Sequence, residues 1–438
     1  MTRGHLKRVP LDRRALNRMT DPGEGQVKLY EVRSRGKRQR PAKPIYAALA
    51  TAVLALIGVS GTACSSGATS SADQVKAQAA APSASAYVAR AKEITREAET
   101  GLVYSPTDWY TPPGELKPMT SWLGPTTSPA LPAGKSIAFV SCGAVVCNQA
   151  AEEGAQVAHE VGFKTSLVNI NGAGDIQNLN QAMSSAIALH PSAIVGVCVT
   201  ATQVSAELQQ ARTAGIVTVS TCDPTPTNGS GEDDAAADWA NGLSAELLGW
   251  AVVANTEGHA NVVAITDKAY PSVVRKIDNL VQVLQGCSTC TVKTVTWETS
   301  EAENSAQAAS IVTGIINSNP GINTFVMPYS IGMPSVVQAV NSSGRDIKIY
   351  SDDADPVNLP LLHQGALQMV SAVDPELVMY QAIDQVIRGL NKSPYIQPAN
   401  LPYVAHLYTT DTAPANESGA FLKFFDYAAA YDKMWGLK

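Results

Sequence analysis

The chain has 438 residues, of which 45% are hydrophobic and 16% charged, so it can bury large cores and is not a disordered chain. At about 150 residues per domain it holds two or three units, and a single candidate membrane-length apolar stretch excludes a polytopic membrane protein. Formal charge is −6, but residues 1–63 hold 13 Lys/Arg against 4 Asp/Glu (net +9) and residues 64–438 hold 19 against 34 (net −15); an acidic body lacks the cations that neutralise phosphates, which excludes nucleic acid as a partner.

In chain order, residues 33–43 are basic, Ile45–Val59 is an uncharged apolar run, and Gly61-Thr62-Ala63 are small. Basic, then apolar, then small is the order of a secretory signal, spanning residues 1–63. Cys64 follows at once, and this arrangement resembles a bacterial lipoprotein signal, in which Cys64 is lipidated and becomes the first mature residue. Gly61 departs from the pattern, because such signals favour Leu there. Cleavage after Ala63 without a lipid, an uncleaved anchor, and translation from Met19 stay open. Residues 64–85, rich in Ala, Ser and Gly, read as a flexible tether. Residues 86–100 read as an amphipathic helix. Residues 101–133 hold seven prolines with Tyr104, Trp109, Tyr110 and Trp122, so they read as an irregular strap over the body.

From residue 134 short apolar runs alternate with helical stretches. The expected strands are 137–141, 166–170, 193–199, 217–221, 261–266, 291–297, 324–327, 347–350 and 367–372. Expected helices include 148–161, 175–189, 201–214, 272–284, 302–317 and 375–390. Such alternation predicts βαβ units and parallel sheets. Nine strands exceed one ordinary doubly wound sheet, and the helical stretch 238–255 falls mid-series, so two α/β lobes are predicted. Besides Cys64, six cysteines remain: Cys142, Cys147, Cys198, Cys222, Cys287 and Cys290. An even count in an exported chain predicts disulfides. Cys142/Cys147 and Cys287/Cys290 can each close a small loop, Cys198 and Cys222 each end a predicted strand, and free buried thiols are the alternative. Spacing and scattered His predict no metal site, and no cofactor motif is present.

Several phrases carry a family resemblance. GKSIAFVS opens the first strand and EEGAQVAHEVGF its helix. TSLVNINGAGDIQNLN, HPSAIVGVCVT and ARTAGIVTVSTCD follow for the next strands. SVVRKIDNLVQVL, IINSNPGINTFVMP and IKIYSDDADP complete the series. In this order the body, about residues 134–405, resembles the type I periplasmic solute-binding proteins of the sugar-type, ribose-binding-protein-like branch. The resemblance implies two doubly wound lobes joined by a three-segment hinge. The first lobe is expected over 134–237 and 374–404, and the second over 238–373 with 405–438 as second-lobe and C-terminal tail. Ligand is expected in the cleft, with hinge closure upon it. No helix-turn-helix segment precedes the first strand, which sets the related repressors aside.

Carried over residue by residue, the resemblance implies that Arg275 bonds ligand oxygens and Asp353 accepts from a polyol. Asp352 and Asp355 beside it are equally suited to cap the next helix. Trp239 falls at a hinge position and Tyr329 at a polar cleft position, while Trp297 ends its strand near a stacking aromatic. The first lobe departs from the pattern. Cys142-Gly143-Ala144-Val145-Val146-Cys147-Asn148 stands where sugar binders carry Asn and paired aromatics. Cys222-Asp223-Pro224 replaces Asp-Arg, and Val373-Asp374 replaces a Gln. Asn148, Asp223 and Asp374 are the remaining polar candidates, with turn and cap duty as their alternative. These losses favour a modified, more apolar or aromatic ligand over a plain aldopentose.

The resemblance thus implies an extracytoplasmic, lipid-anchored, monomeric substrate-binding component of an ABC importer, with a membrane permease and an ATPase as partners. A receptor feeding a signalling partner is the alternative with the same fold. An exported enzyme is the third reading. It lacks support because no Gly-x-Ser-x-Gly elbow, no His-Glu-x-x-His and no phosphate-binding loop is present, and NINGAGD (169–175) lacks the spacing of one. No catalytic residue is assigned.

Overall fold

The computed structural model describes residues 83–105, 114–168, 172–222, 233–237, 239, 241–397, 400–401 and 403–437. The signal segment, Cys64, most of the tether, Trp109, Tyr110 and Asp223 lie outside the described residues. Among those described, no helix is long and apolar enough to cross a membrane.

The first element among the described residues is α1 (Ala84–Thr100), capped by the Ser83 side chain. Two short strands follow, β1 (Val103–Tyr104) and β2 (Lys117–Pro118). The first lobe then runs β3 (Ser136–Ser141), α2 (Val145–Glu160), β4 (Lys164–Val168), α3 (Ile176–Ala188), β5 (Ala193–Val197), α4 (Ser205–Thr213), β6 (Val217–Ser220) and β7 (Ala235–Ala236). Its sheet is parallel throughout, in the order β4-β3-β5-β6-β7. β3 is apolar without alternation because both its faces are covered: Ile137 and Phe139 enter one core, Ala138 and Val140 the other.

The second lobe contains α5 (Asn241–Asn255), β8 (Asn261–Thr266), α6 (Pro271–Gly286), β9 (Thr291–Thr296), α7 (Thr299–Glu303), α8 (Ser305–Ser318), β10 (Thr324–Met327), α9 (Met333–Ser343), β11 (Lys348–Asp352), α10 (Asn358–His363) and β12 (Met369–Ala372). β8 repeats the logic of β3, with Val262 and Ala264 in one core and Val263 and Ile265 in the other. The helix expected over 302–317 is two helices. Asn304 separates them, and its side chain accepts the Gln307 N–H at 3.1 Å to start α8.

The chain then crosses to α11 (Pro375–Leu390), which packs on α2 and β6 of the first lobe. It returns as β13 (Val404–Tyr408), antiparallel to β12. β1 pairs antiparallel with β13 and β2 with β1, so the second sheet reads β2-β1-β13-β12-β11-β10-β8-β9. Neither β13 nor the β1–β2 extension was among the strands expected from the sequence: β1 and β2 are two residues each, and all three lie outside the regular strand–helix alternation. α12 (Tyr427–Met434) crosses once more. Phe421, Tyr427, Tyr431 and Trp435 enter the first-lobe core, so this part of the tail, expected with the second lobe, packs on both, Phe421 and Phe424 also meeting His406 of β13.

The strap also spans both lobes. α1 lies on α5, with Tyr87 4.9 Å from Trp250 between ring centroids. Further on, Trp122 stacks on Phe425 at 5.2 Å and meets Tyr431 edge-on at 5.5 Å. Ser128 donates to Asp384 at 2.7 Å, and Arg388 of α11 donates to the Thr127 carbonyl at 2.5 Å.

Candidate functional site

Both sheets turn the C-terminal ends of their parallel strands toward one cleft, the usual ligand position in open α/β sheets. The cleft contains about 610 Å³ of non-atom space, its open mouth included. From the first lobe, Cys142, Ala144, Val146 and Cys147 follow β3, Ala173 follows β4, Cys198 follows β5 and Cys222 follows β6. Trp239 stands on the crossing to α5. From the second lobe come Tyr270, Ser272, Val273, Lys276, Tyr329, Ser330, Ile331 and Asp353.

The charged centre is Lys276, Asp352 and Asp353. Lys276 projects from α6, and its Nζ lies 2.9 Å from Asp352 Oδ2, 3.1 Å from Asp353 Oδ1 and 3.1 Å from the Pro328 carbonyl. Three donors meet three acceptors, so the ammonium is saturated. Burial opposes its charge, but the two carboxylates outweigh burial and raise its pKa. Asp352 is held on all sides: Ser244 donates to Oδ2 at 2.8 Å, and Ser371 (2.6 Å) and the Asp353 N–H (3.0 Å) donate to Oδ1. It is an internal anchor. Asp353 faces the cleft with φ of +65°, a left-handed conformation that Asp tolerates better than most residues. The Asn358 amide fixes this turn by donating to the carbonyls of Asp352 (2.9 Å) and Asp353 (2.7 Å). Burial is the main cause that raises the Asp353 pKa to about 7; Lys276 opposes it, and Asp352 and Asp355 add to it. Asp355 accepts the N–H groups of Val357 and Asn358, both at 2.9 Å, at the start of α10, which is cap duty.

Of the residues singled out from sequence, Asp353, Trp239 and Tyr329 line this cleft together. The others are placed differently. Arg275 is not among the lining residues; one residue further round α6, about 100° on the helix, Lys276 supplies the cation instead. Trp297 is 1% exposed and supports from behind, its indole N–H donating to the Tyr329 hydroxyl at 2.7 Å, which in turn donates to Asp267 at 3.3 Å. Asn148 accepts from Ser141 at 2.6 Å and orders the turn before α2. Asp374 caps α11 and ties down the tail, accepting from the Glu376 N–H (3.0 Å), the Phe421 N–H (2.9 Å) and the Tyr427 hydroxyl (3.0 Å).

The cysteines divide. Cys198–Cys222 and Cys287–Cys290 are disulfides, the first in the cleft wall and the second at the end of α6. Cys142 and Cys147, expected as a disulfide pair, are free buried thiols with sulfurs 2.8 Å apart. Register explains why three of the four gather. Ser141 pairs with Val197 and Gly196 with Ser220, so Cys142, Cys198 and Cys222 end three neighbouring strands side by side. Among the described residues no group of three His, Cys, Asp or Glu side chains could hold a metal ion.

The lobes touch across the cleft mouth. The Ala173 N–H donates to Glu303 at 2.8 Å, and Gln203 donates to the Ala269 carbonyl at 3.2 Å. Gly174, at φ +82°, lies so close that a Cβ there would stand 3.1 Å from Thr299 Cβ. This is a closed arrangement, and Ala173 and Gly174 are part of its seam. Sequence reasoning missed Lys276, Asp267, Tyr270 and Glu303; only Lys276 had a signal, beside the Ser-x-x-Arg phrase.

A two-lobed α/β receptor with a closable cleft is the class that this fold and site define. The family model described as periplasmic binding protein domain matches residues 141–393, more than half of the chain, and the protein belongs to that family. Solved structures agree in fold. A glucose-galactose binding protein from Geobacillus stearothermophilus is 16% identical with a TM-score of 0.56, over 65% of this chain and 99% of that one. An ABC transporter solute-binding protein from Agrobacterium vitis, bound with alpha-D-tagatopyranose, is 17% identical with a TM-score of 0.57, over 66% and 98%. The arabinose-transporter binding protein of Shewanella sp. ANA-3 is 17% identical with a TM-score of 0.55, over 68% and 98%. No curated protein matches the chain significantly.

Proposed function

We propose that this protein is the extracytoplasmic substrate-binding component of an ABC importer. It captures a small polar solute between its lobes and presents the closed form to a membrane permease and its ATPase. The observation that carries this reading is the cleft itself: a carboxyl (Asp353) and aromatic walls (Trp239, Tyr329, Tyr270) enclosed where two lobes meet and touch. The similar structures with bound tagatopyranose and arabinofuranose support a sugar-like solute. Against a plain sugar site stand the apolar first-lobe wall of Val146 and Ala144 and the four cysteines. A modified or ring-bearing solute fits these walls better. The protein performs no chemistry in this reading: affinity comes from the cleft, and ligand drives closure by contacts made only in the closed state. Export and anchoring through Cys64 belong to the same proposal, with the tether giving the receptor reach from the membrane.

A thermal-shift screen of the purified protein tests it, with pentoses, hexoses, polyols, nucleosides, amino acids and aromatic acids. A ligand at 100 times its Kd stabilises the folded state by about 2.7 kcal/mol. A hit that Asp353→Asn abolishes is the expected result. Turnover of a compound, or a hit indifferent to Asp353, would overturn the proposal.

A further inference from the structure

The inner end of the cleft continues into a small recess lined by Val146, Trp239, Asp353, Val373, Pro375 and Glu417. Glu417 comes from the tail after β13, beyond the matched family span of 141–393. It is 2% exposed, and its Oε1 has no hydrogen-bond partner among the described residues. The charged groups acting on it most strongly are Asp355, Asp353, Glu153 and Asp374, all acids; burial first and these acids second raise its pKa. Across the recess, Asp353 spends Oδ1 on Lys276. Lys276 has no donor left for Glu417, since its three N–H groups are taken by Asp352, Asp353 and Pro328.

Two carboxyl groups therefore face one small space, and among the described residues no cation serves the second of them. A buried carboxyl without a donor is costly, and a cation with its own donors removes the cost. An ammonium fits: it carries three donors, and its charge favours the ionised form of both acids, whereas a hydroxyl brings one donor to two acids and no charge. Trp239 lines the same recess, and its buried indole N–H has no acceptor among the described residues, which an oxygen on the ligand would supply.

Resting on the solute-receptor reading, we infer that the recess between Asp353 and Glu417 is an amine subsite, and that the ligand carries a protonated amino group beside an oxygen-bearing ring or chain. The C-terminal tail then has a binding role, since it delivers Glu417.

Matched pairs test this on the full protein by calorimetry and thermal shift: glucosamine, glucose and N-acetylglucosamine; galactosamine and galactose; tyramine and its hydroxyl counterpart tyrosol. At least one amine is expected to bind ten times more tightly than its neutral partners, and Glu417→Gln is expected to bring that ratio below about three. Neutral members binding as well as the amines would overturn the amine subsite and leave the solute receptor standing. An amine preference unchanged in Glu417→Gln would remove Glu417 from it. No binding by any member would overturn the subsite, and no binding by any compound of the wider screen would overturn the receptor reading as well.

Discussion

Lys276 is the residue on which the cleft charge turns. Its ammonium compensates Asp352 and Asp353 in a site where each is nearly or fully shielded from water. Removing one partner of a buried ion pair leaves an uncompensated charge, at a cost of about 3–5 kcal/mol. Lys276→Ala is therefore expected to lower the stability measured by denaturant unfolding by that order. Arg275→Ala, one position away, is expected to change ligand affinity by less than about threefold, because its side chain does not line the cleft. Affinity loss in the Arg275 variant equal to that of Asp353→Asn would contradict the placement. The thiols make a second residue-scale prediction. Sulfurs 2.8 Å apart on one short turn are set to join under an oxidant. With Cys64 lipidated or replaced by Ser, denatured protein kept from oxidation is expected to take two alkyl groups without reductant, and protein first treated with oxidised glutathione none. Two groups after that treatment would count against closure.

Among the elements, the turn before α3 and the short α7 form the seam of the closed cleft. The Ala173–Glu303 hydrogen bond exists only while the lobes meet, so its contribution of about 1 kcal/mol adds to ligand affinity and not to the stability of either lobe. Glu303→Ala is expected to weaken ligand binding by about fivefold with an unchanged melting temperature of the ligand-free protein. Gly174→Ala is expected to act more strongly, since the added Cβ meets Thr299 and the backbone is left-handed there. The strap and the C-terminal tail are the other two elements of note. Beyond the hinge crossings at residues 237–241, 372–375 and 390–404, they add two further links between the lobes. Trp122→Ala removes a stacked and an edge-on aromatic contact, each of which exceeds simple area burial by about 0.5–1.5 kcal/mol. A loss of about 2 kcal/mol is expected in unfolding experiments; an unchanged transition would mean the strap is not fastened there.

At the scale of the whole molecule, buried acids dominate the response to pH. Burial raises Glu153, Glu246 and Glu376 to about 7, Asp353 to about 7 and Asp374 to about 6. Each of these holds its proton in the folded state at a pH where the unfolded chain has lost it. Between the unfolded pKa near 4 and the folded value, the folded state binds more protons, so stability falls as pH rises through that window. His406 acts in the opposite sense: burial lowers it to about 4, so its contribution grows as pH rises from 4 to about 6.5. Five acids outweigh one histidine. The melting temperature of the ligand-free protein is expected to be higher at pH 5 than at pH 7.5, and a higher value at pH 7.5 would show that these carboxyls are ionised and satisfied.

The alternation of buried strands and amphipathic helices was legible because each β3-like run must cover two faces, and that demand is written locally in consecutive apolar residues. Asp353, Trp239 and Tyr329 were legible as candidates through the family resemblance, which implied cleft and hinge positions for them. The order of the cysteines on neighbouring strands, Lys276 in place of Arg275, the return of the tail to the first lobe and Glu417 at the recess were not. Each depends on which face of a helix meets which strand, or on a contact between residues hundreds of positions apart. Local pattern in the sequence determined the elements and the lobed α/β class; tertiary packing alone decided which side chains share the cleft, because an irregular strap and tail carry no period that says where they lie.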